Sequence, residues 1–304
     1  MIGLKGRDFI DVADLEPAGL RRLLDLAREI KAGRWRERPL EGRHIAMLFQ
    51  RPSHRTRVSF EVGIARLGGN TTTLTSQDVQ LGFRESVADA ARVLDRYVDG
   101  TVARLRSHVD LLQFAQASER PLVNALTDRS HPCQVLADVM TLEELGDLER
   151  QHLVYIGDGN NIANSLIEAA HLAGFQLTIV TPPGYDPDPA IVERARSINS
   201  GKSQVTLTNH IDVDRSATAV YTDVWASMGQ EDERAARQKV FSQYQVNQRV
   251  MDAAPRAVFM HCLPAHRGEE VTNEVIDGPR SVVFQQAENR LYAQMALLAE
   301  LFSP

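Results

Sequence analysis

The chain is poor in the residues and segments that mark secreted and membrane-spanning proteins. Its 304 residues include only two cysteines, Cys133 and Cys262, which are too few for a disulfide framework and are typical of a cytosolic protein. The N-terminal residues lack the apolar run of a signal peptide, and no stretch approaches the ~18 uninterrupted apolar residues that a membrane-spanning helix needs. We therefore expect a soluble, cytoplasmic protein that has no membrane partner.

Basic residues are outnumbered as well. There are 34 lysines and arginines against 40 aspartates and glutamates, which gives a net charge of −6. An acidic chain is poorly suited to bind nucleic acid, although one local pocket can still be positive enough to hold a small anion. With 43% hydrophobic and 24% charged residues, the composition is that of an ordered globular protein, and the length suffices for two domains.

Short apolar runs alternate with segments of helical periodicity along the whole chain. The first helical pattern has Pro17 in its first turn and Gly33 after its end, which are favoured places for these residues. Alternation of this kind predicts parallel sheets covered by helices. The predicted strands lie near residues 44–49, 101–105, 121–126, 153–157, 177–180, 204–207, 218–222 and 256–261, and the further helices near 56–67, 86–98, 108–117, 133–145, 161–173, 187–198 and 286–302.

A charged run at residues 143–150 separates two such halves. The pattern predicts an α/β protein of two doubly wound parallel-sheet domains with a cleft between them, and clefts of this kind are common ligand sites. We expect the first domain to span residues 1–146 and the second residues 147–285. The C-terminal helix, residues 286–304, is expected to pack back on the first domain.

The predicted strand that ends at Phe49 leads into a segment suited to bind phosphate. A helix is predicted to start directly after this segment, and a helix N-terminus attracts anions through its free N–H groups and partial positive charge. Ser53 and Thr56 add hydroxyl donors. Arg55 and Arg57 add guanidinium groups that match phosphate oxygens. A serine cap followed by two solvated arginines would produce the same sequence, so the segment alone does not decide.

Two further strand ends carry polar donors. Arg104 ends one apolar run, and the segment from His131 to Gln134 opens a helix after another. Taken singly, Arg104 could be a surface arginine and Cys133 a small buried apolar residue. Because a parallel sheet gathers the carboxyl ends of its strands on one edge, the three segments together favour an anion site.

Four motifs resemble those of the aspartate and ornithine carbamoyltransferase family, and the resemblance covers nearly the whole chain. They are Ser-X-Arg-Thr-Arg at 53–57, Gly-Phe-Arg-Glu-Ser at 82–86, His-Pro-X-Gln at 131–134 and Gln-Ala-Glu-Asn-Arg at 286–290. The resemblance implies that the first half binds carbamoyl phosphate. The implied site contains Ser53, His54, Arg55, Thr56, Gln80, Arg104, His131, Gln134, Cys262, Leu263 and Arg290.

The resemblance also suggests roles within that site. Arg104, His131 and Thr56 are expected to polarise the carbonyl group, and Arg57 to offset charge on the departing phosphate. Position 54 is commonly threonine in the family, and we interpret the contribution of His54 here as its backbone N–H. Gln80 is expected to reach from a loop into the site of a neighbouring subunit, which implies a homotrimer.

A glycine pair in the second half raises a different possibility. Gly157 and Gly159 follow a predicted strand and precede a helix, as in a dinucleotide-binding fingerprint. Ile162 stands where that fingerprint needs a third glycine, and the next strand lacks an acidic residue to hold a ribose. A nicotinamide enzyme is therefore not expected.

Two further motifs resemble the ornithine branch of the family. They are Asp-Val-Trp-X-Ser-Met-Gly at 223–229 and His-Cys-Leu-Pro at 261–264. The resemblance implies an ornithine site of Asn161, Asp223, Ser227 and Met228. Cys262 is expected near the δ-amine, and the backbone of Leu263 at the carbamoyl nitrogen. The catalytic residues that the resemblance implies are Arg104, His131, Asp223 and Cys262.

The implied reaction moves the carbamoyl group of carbamoyl phosphate to the δ-amine of L-ornithine and yields L-citrulline and phosphate, a step of arginine metabolism. The alternatives are a carbamoyltransferase for another amine, such as putrescine or acetylornithine, and a non-catalytic anion-binding relative. No cofactor is expected. No metal is expected either, because the sequence shows no tight ligand cluster around His131, His261 or His266.

Overall fold

The described part of the chain divides into two compact units. The computed structural model describes residues 4, 6–197, 203–226 and 231–303. The first unit comprises Met1–Leu136 and Arg290–Pro304, and the second comprises Ala137–Asn289. Each unit contains one parallel sheet, so the predicted α/β fold class is confirmed. Both changes of unit fall inside a helix, and the sequence-based domain limits at 146 and 285 stay a prediction.

The sheet of the first unit has four parallel strands. They are β1 (His44–Phe49), β2 (Asn70–Thr75), β3 (Gly100–Arg104) and β4 (Leu122–Leu126). Their spatial order is β2-β1-β3-β4, so the chain moves outward from β1 to β2 and then crosses to the other side of β1. This crossing creates a topological switch point between β1 and β3, where open α/β sheets bind their ligands.

Helices cover this sheet. They are α1 (Pro17–Lys31), α2 (His54–Arg66), α3 (Val87–Leu94), α4 (His108–Ala117) and the start of α5 (Pro132–Leu145). The apolar residues of α1 recur at a spacing of three and four and are buried, as an amphipathic helix requires. The hydroxyl of Ser86 caps α3 and that of Ser107 caps α4, each by accepting a backbone N–H of the first turn.

The sheet of the second unit has five parallel strands. They are β5 (His152–Ile156), β6 (Gln176–Val180), β7 (Val205–Thr208), β8 (Ala219–Thr222) and β9 (Val258–His261). The order β7-β6-β5-β8-β9 places the switch point between β5 and β8. Apolar side chains of these strands, including Val154, Val220 and Phe259, form the centre of the core.

The helices of the second unit begin with α6 (Asn161–Ala173), which is buried along nearly its whole length. The remaining helices are α7 (Pro189–Ser197), α8 (Arg234–Phe241), α9 (Gln248–Ala253), α10 (Asn273–Ile276) and α11 (Val283–Phe302). One buried charge of α6, Glu168, pairs with Arg194 of α7. The last part of α11, from Arg290, belongs to the first unit, so the predicted return of the C-terminal helix is confirmed.

The strands and helices follow the sequence-based expectation with a few differences. Strand β2 is not predicted from the sequence, because its residues Asn-Thr-Thr-Thr-Leu-Thr are polar and it lies at the edge of the sheet. Helices α8, α9 and α10 are not predicted either, because they are short and carry few apolar residues. Over the residues that the structure describes, no helix has both the length and the apolar character that crossing a membrane requires.

Candidate active site

The switch point of the first sheet brings together residues that follow β1 and end β3. Phe49 and Arg104 are register partners at the carboxyl ends of these neighbouring strands. The chain then enters α2, and Thr56 lies in its first turn. As a result, Nη1 of Arg104 lies 3.5 Å from Oγ1 of Thr56, and both side chains are buried.

A second guanidinium group reaches the same hydroxyl. Arg290 of α11 donates from Nη2 to Oγ1 of Thr56 over 2.8 Å. Its Nη1 donates to Oε1 of Gln134, and both of these side chains are buried as well. Two buried guanidinium groups that converge on one hydroxyl create a strongly positive potential, which favours binding of an anion with several oxygens.

The imidazole of His131 is adjacent to these charges and is 5% exposed. Burial first, then the charges of Arg290 and Arg104, hold the pKa of His131 well below its usual value. The ring is therefore neutral at pH 7. A neutral imidazole can donate one N–H to a carbonyl oxygen without adding a third positive charge to the site.

The predicted phosphate residues lie around the N-terminus of α2. Ser53 is the residue before this helix, and its hydroxyl makes no capping hydrogen bond to the described part of α2. Arg55 is half-buried, and His54 is exposed. The N–H groups of a first helical turn lack partners within the helix, so this end of α2 is suited to hold a phosphate.

Two further predicted residues lie apart from this buried group. Arg57 is expected from the sequence to offset phosphate charge, but its Nε donates to Oε1 of Glu61 at 2.9 Å on an exposed face of α2. The pair forms because residues four apart lie on one face of a helix. Gln80 is exposed in the loop between β2 and α3. Phe83 of the same loop is 88% exposed.

The switch point of the second sheet collects the predicted acceptor residues. Asn161 is the first residue of α6, after β5, and Asp223 follows β8. Both are buried. Asn160, which is not among the predicted site residues, connects the two segments. Its Oδ1 accepts the backbone N–H of Ile162 as the helix cap, and its Nδ2 donates to Oδ2 of Asp223 at 2.8 Å. A cap residue after a strand is the sequence signal that could have identified it.

Cys262 lies beside Asp223. Parallel pairing of β8 with β9 aligns Thr222 with His261, so the next residue on each strand is also a neighbour. The thiol of Cys262 donates to Oδ1 of Asp223 at 3.0 Å, and Cys262 is partly exposed. The other thiol, Cys133, is buried and donates to the backbone oxygen of Asn124. Burial raises the pKa of Cys133 to about 12.

Leu263 is held by a buried histidine and a buried glutamate. Its backbone φ is 57°, a left-handed conformation that is unusual for leucine. The N–H of Leu263 donates to Nδ1 of His261 at 2.8 Å, so the ring hydrogen lies on Nε2, which is 3.2 Å from Oε1 of Glu270. Because the N–H of Leu263 is used in this way, its carbonyl oxygen is the backbone group that could accept an amide hydrogen from a ligand. Glu270 was not predicted from the sequence.

Two groups of side chains in the second unit could act as metal ligands. Asp223, His261 and Cys262 offer ligand atoms within 4.8 Å of one another, and so do His266, Glu269 and Glu270. The sequence-based statement that His261 and His266 lie outside any tight cluster is therefore wrong. The pairing of β8 with β9 brings Asp223 beside His261 and Cys262, and the turn at 266–270 brings Glu270 beside His266.

Gly159, the second glycine of the pair after β5, has a packing explanation. A Cβ atom on Gly159 would lie 2.4 Å from the backbone carbon of Asp186 and from the nitrogen of Pro187. The N–H of Gly159 also donates to the oxygen of Tyr185 at 2.9 Å. The residue is therefore glycine because the loop after β6 crosses directly over it, and a dinucleotide phosphate is not needed to explain it.

Two family models match the chain. The model for the carbamoyl-P binding domain of aspartate/ornithine carbamoyltransferase matches residues 7–144, and that for the Asp/Orn binding domain matches residues 149–301. The chain belongs to the aspartate/ornithine carbamoyltransferase family.

Relatives of known name cover almost the whole chain. Over an alignment of 306 positions it is 49% identical to the ornithine carbamoyltransferase of Symbiobacterium thermophilum, and the alignment covers 98% of each chain. It is 47% identical over 308 residues to the anabolic ornithine carbamoyltransferase of Pyrococcus furiosus, covering 98% of this chain and 97% of the relative. A solved structure of ornithine carbamoyltransferase from Pyrococcus furiosus matches with a TM-score of 0.94 at 46% identity, covering 99% of both chains.

The predicted residues of this carbamoyltransferase divide between the two matched regions. The residues from Ser53 to Gln134 lie in the carbamoyl-P binding region, and Asn161, Asp223 and Cys262 in the Asp/Orn binding region. Arg290 also falls in the second region by sequence, yet it contacts Thr56 and Gln134 of the first unit. Ser227 and Met228 lie outside the described residues, and their roles stay predictions.

Proposed function

We propose that this chain transfers the carbamoyl group of carbamoyl phosphate to the δ-amine of L-ornithine and releases L-citrulline and phosphate. The observation that carries the proposal is the buried arrangement of Arg104, Arg290 and neutral His131 around Thr56. This arrangement suits a donor that combines a phosphate with a carbonyl group. The relatives named ornithine carbamoyltransferase support the choice of acceptor.

The donor phosphate would bind at the N-terminus of α2. Ser53, Arg55, Thr56 and the backbone N–H of His54 supply hydrogen-bond donors there, next to the positive end of the helix dipole. The amide of the carbamoyl group needs acceptors instead. We assign that role to Oε1 of Gln134, which Arg290 orients, and to the carbonyl oxygen of Leu263.

The carbonyl oxygen of the donor would lie against Arg104, His131 and the hydroxyl of Thr56. Negative charge develops on this oxygen when the carbonyl carbon is attacked. Donors that are already in place stabilise that charge without the reorganisation that water would need. Neutral His131 suits this role because its N–H can donate while the arginines supply the positive charge.

The acceptor would bind through its amino-acid head. Asp223 would receive the α-ammonium group, and Asn161, Ser227 and Met228 are proposed to hold the same end. The δ-nitrogen would then lie near Cys262, whose thiol hydrogen-bonds Asp223. An alkylammonium has a pKa of ~10.4 in water, and a cationic, partly desolvated site lowers that pKa so that the neutral amine forms more easily.

Atoms and charges balance without a covalent enzyme intermediate. The lone pair of the neutral δ-nitrogen forms a bond to the carbonyl carbon, and the carbonyl electrons move to oxygen. The tetrahedral intermediate collapses, the bond from carbon to the phosphate oxygen breaks, and its electron pair leaves with phosphate. The nitrogen gives up its proton to the departing phosphate. Holding both reactants in register can supply an effective molarity of ~10⁵ M or more.

A homotrimer is proposed in which Gln80 completes the donor site of a neighbouring subunit. Its position in an exposed loop beside exposed Phe83 supports this assembly. We further propose that the protein is cytoplasmic and serves arginine biosynthesis, as the name of the anabolic relative from Pyrococcus furiosus suggests.

Product formation with different amines tests the proposal. The purified chain is incubated with carbamoyl phosphate and either ornithine, putrescine or acetylornithine, and carbamoylated product and phosphate are measured. We expect citrulline and phosphate in equal amounts with ornithine, and little product with the other amines. Product mainly from putrescine would change the acceptor. Binding of carbamoyl phosphate without any product would leave an anion-binding protein.

A further inference from the structure

One buried arginine outside the predicted site joins the two loops of the acceptor half. Arg237 lies on α8 and is 7% exposed. Its Nη1 donates to Oδ2 of Asp158 at 2.9 Å and to the backbone oxygen of Trp225 at 2.9 Å. Its Nε donates to Oε2 of Glu233 at 2.8 Å. We call the contact of Arg237 with Asp158 and Trp225 the Arg237 clasp.

Aromatic rings fix the direction of this guanidinium group. Its central carbon lies 5.1 Å from the centre of the Tyr185 ring, a cation–π contact. Phe241 packs edge-on against Tyr185, with centroids 4.8 Å apart, and stacks on Trp225 at 5.9 Å. A planar group held on a ring face and bonded at both ends has little freedom to turn away. The guanidinium group of Arg237 is therefore held in one orientation.

The two ends of the clasp belong to the loops that carry the acceptor residues. Asp158 follows β5 and lies two positions before Asn160, and Trp225 follows β8 and lies two positions after Asp223. Asn160 and Asp223 form another side-chain link between these loops, at 2.8 Å. The clasp thus adds a second connection across the switch point, outside the first.

We propose that Arg237 is a positioning residue of the acceptor site, which fastens the loop after β5 to the loop after β8 and so sets the separation of Asn161 and Asp223. The proposal rests on the proposed function, because it assigns these two residues to the amino-acid head of ornithine. Arg237 need not touch either substrate. Its effect is on the geometry that receives the acceptor, while the donor residues of the first unit make none of these contacts.

Kinetics with separate substrates tests the clasp. Arg237→Lys removes the planar fork and keeps the charge, and Arg237→Gln removes the charge as well. KM is measured for ornithine and for carbamoyl phosphate, together with the inhibition constant of norvaline, which has the amino-acid head and no δ-amine. We expect KM for ornithine and the norvaline constant to rise on the order of 10- to 100-fold, as loss of charge-assisted hydrogen bonds predicts, while KM for carbamoyl phosphate changes less than about twofold.

The same helix offers a matched control. Arg234 is half-exposed and pairs with Glu269, so Arg234→Gln removes a guanidinium group of α8 outside the clasp, and both KM values should stay near wild type. An unchanged norvaline constant in folded Arg237→Gln would overturn the proposal. An equal rise of both KM values would overturn it too, because that pattern indicates a general structural loss.

Two further measurements keep the test independent of folding and of catalysis. If the Arg237 variants do not fold, the isosteric Asp158→Asn breaks the ionic part of the clasp and should raise the norvaline constant in the same direction. A crystal structure of Arg237→Gln in which the Asn160–Asp223 hydrogen bond stays at 2.8 Å would overturn the clasp whatever the enzyme's reaction. A wild-type chain that forms no citrulline would instead refute the proposed function.

Discussion

Arg290 donates from Nη2 to the hydroxyl of Thr56 across 2.8 Å, although 234 positions separate the two residues in the chain. The contact joins the last helix to the first turn of α2, where the donor phosphate is proposed to bind. Arg104 approaches the same hydroxyl from β3. Thr56 is thus the point at which three separate segments of the first unit meet.

Replacement of Arg290 by lysine should weaken binding of the donor. Lysine keeps the charge but cannot donate to Thr56 and Gln134 at once through one planar group. We expect KM for carbamoyl phosphate to rise on the order of tenfold, with a smaller change for ornithine. Steady-state kinetics with each substrate varied in turn checks this. A variant whose only change is a higher KM for ornithine would place Arg290 outside the donor site.

Arg104→Ala should abolish most of the turnover while the fold is kept. If Arg104 polarises the carbonyl oxygen, its loss removes a donor that acts mainly in the transition state, and kcat should fall on the order of 10³-fold. The matched control is Arg57→Ala, because Arg57 is exposed and paired with Glu61. Its kcat should stay within a few-fold of wild type. Comparable activity in both variants would remove Arg104 from its assigned role.

Much of the fold can be read from apolar periodicity. The predicted spans of β1, α4 and α6 are those of the structure, because each is a strongly patterned segment bounded by caps or turns. Apolar periodicity does not predict β2, since an edge strand rich in threonine buries little apolar surface. It does not predict the short helices α8, α9 and α10 for a similar reason. Their places are set by packing against the rest of the second unit.

The site divides along similar lines. Residues at strand ends, such as Arg104 and Asp223, can be predicted because parallel strands gather their carboxyl ends. Asn160, Glu270 and Arg237 cannot be predicted in this way, since their contacts depend on the relative placement of loops and helices distant in sequence. The exposed pairing of Arg57 with Glu61 is likewise a matter of helix phase, which the motif alone does not reveal.

Glu270→Gln should weaken the preference of His261 for the tautomer that carries its hydrogen on Nε2. In the structure the N–H of Leu263 donates to Nδ1, so Nε2 carries the hydrogen toward Glu270. Without the carboxylate this preference weakens, and the carbonyl of Leu263 loses its fixed direction. We expect kcat/KM for carbamoyl phosphate to fall about tenfold, as the loss of one hydrogen bond to a charged group predicts. Nitrogen NMR of the histidine rings, with His261→Gln for assignment, checks the tautomer; a wild-type ring protonated at Nδ1 would contradict it.

Binding of norvaline should depend on pH through Asp158. Burial raises the pKa of Asp158 to about 6, against the lowering effect of Arg237 and with smaller raising effects of Asp223 and Glu233. The carboxyl group is protonated below that pH and charged above it, so the Arg237 clasp strengthens as pH rises through about 6. The inhibition constant of norvaline should therefore fall between pH 5 and about 7 in wild type and change less in Asp158→Asn. The same pH profile in both proteins would contradict this. Titration of the donor phosphate affects both profiles equally and does not change the comparison.

The unequal surroundings of the two thiols have a practical result. Cys133 is enclosed and holds its proton far into the alkaline range, whereas Cys262 is partly open to solvent beside Asp223. A maleimide or iodoacetamide dye should consequently attach to one position in each native chain. That position lies in the half proposed to receive ornithine, so bound ornithine should slow the labelling of Cys262, and the label itself should block the acceptor.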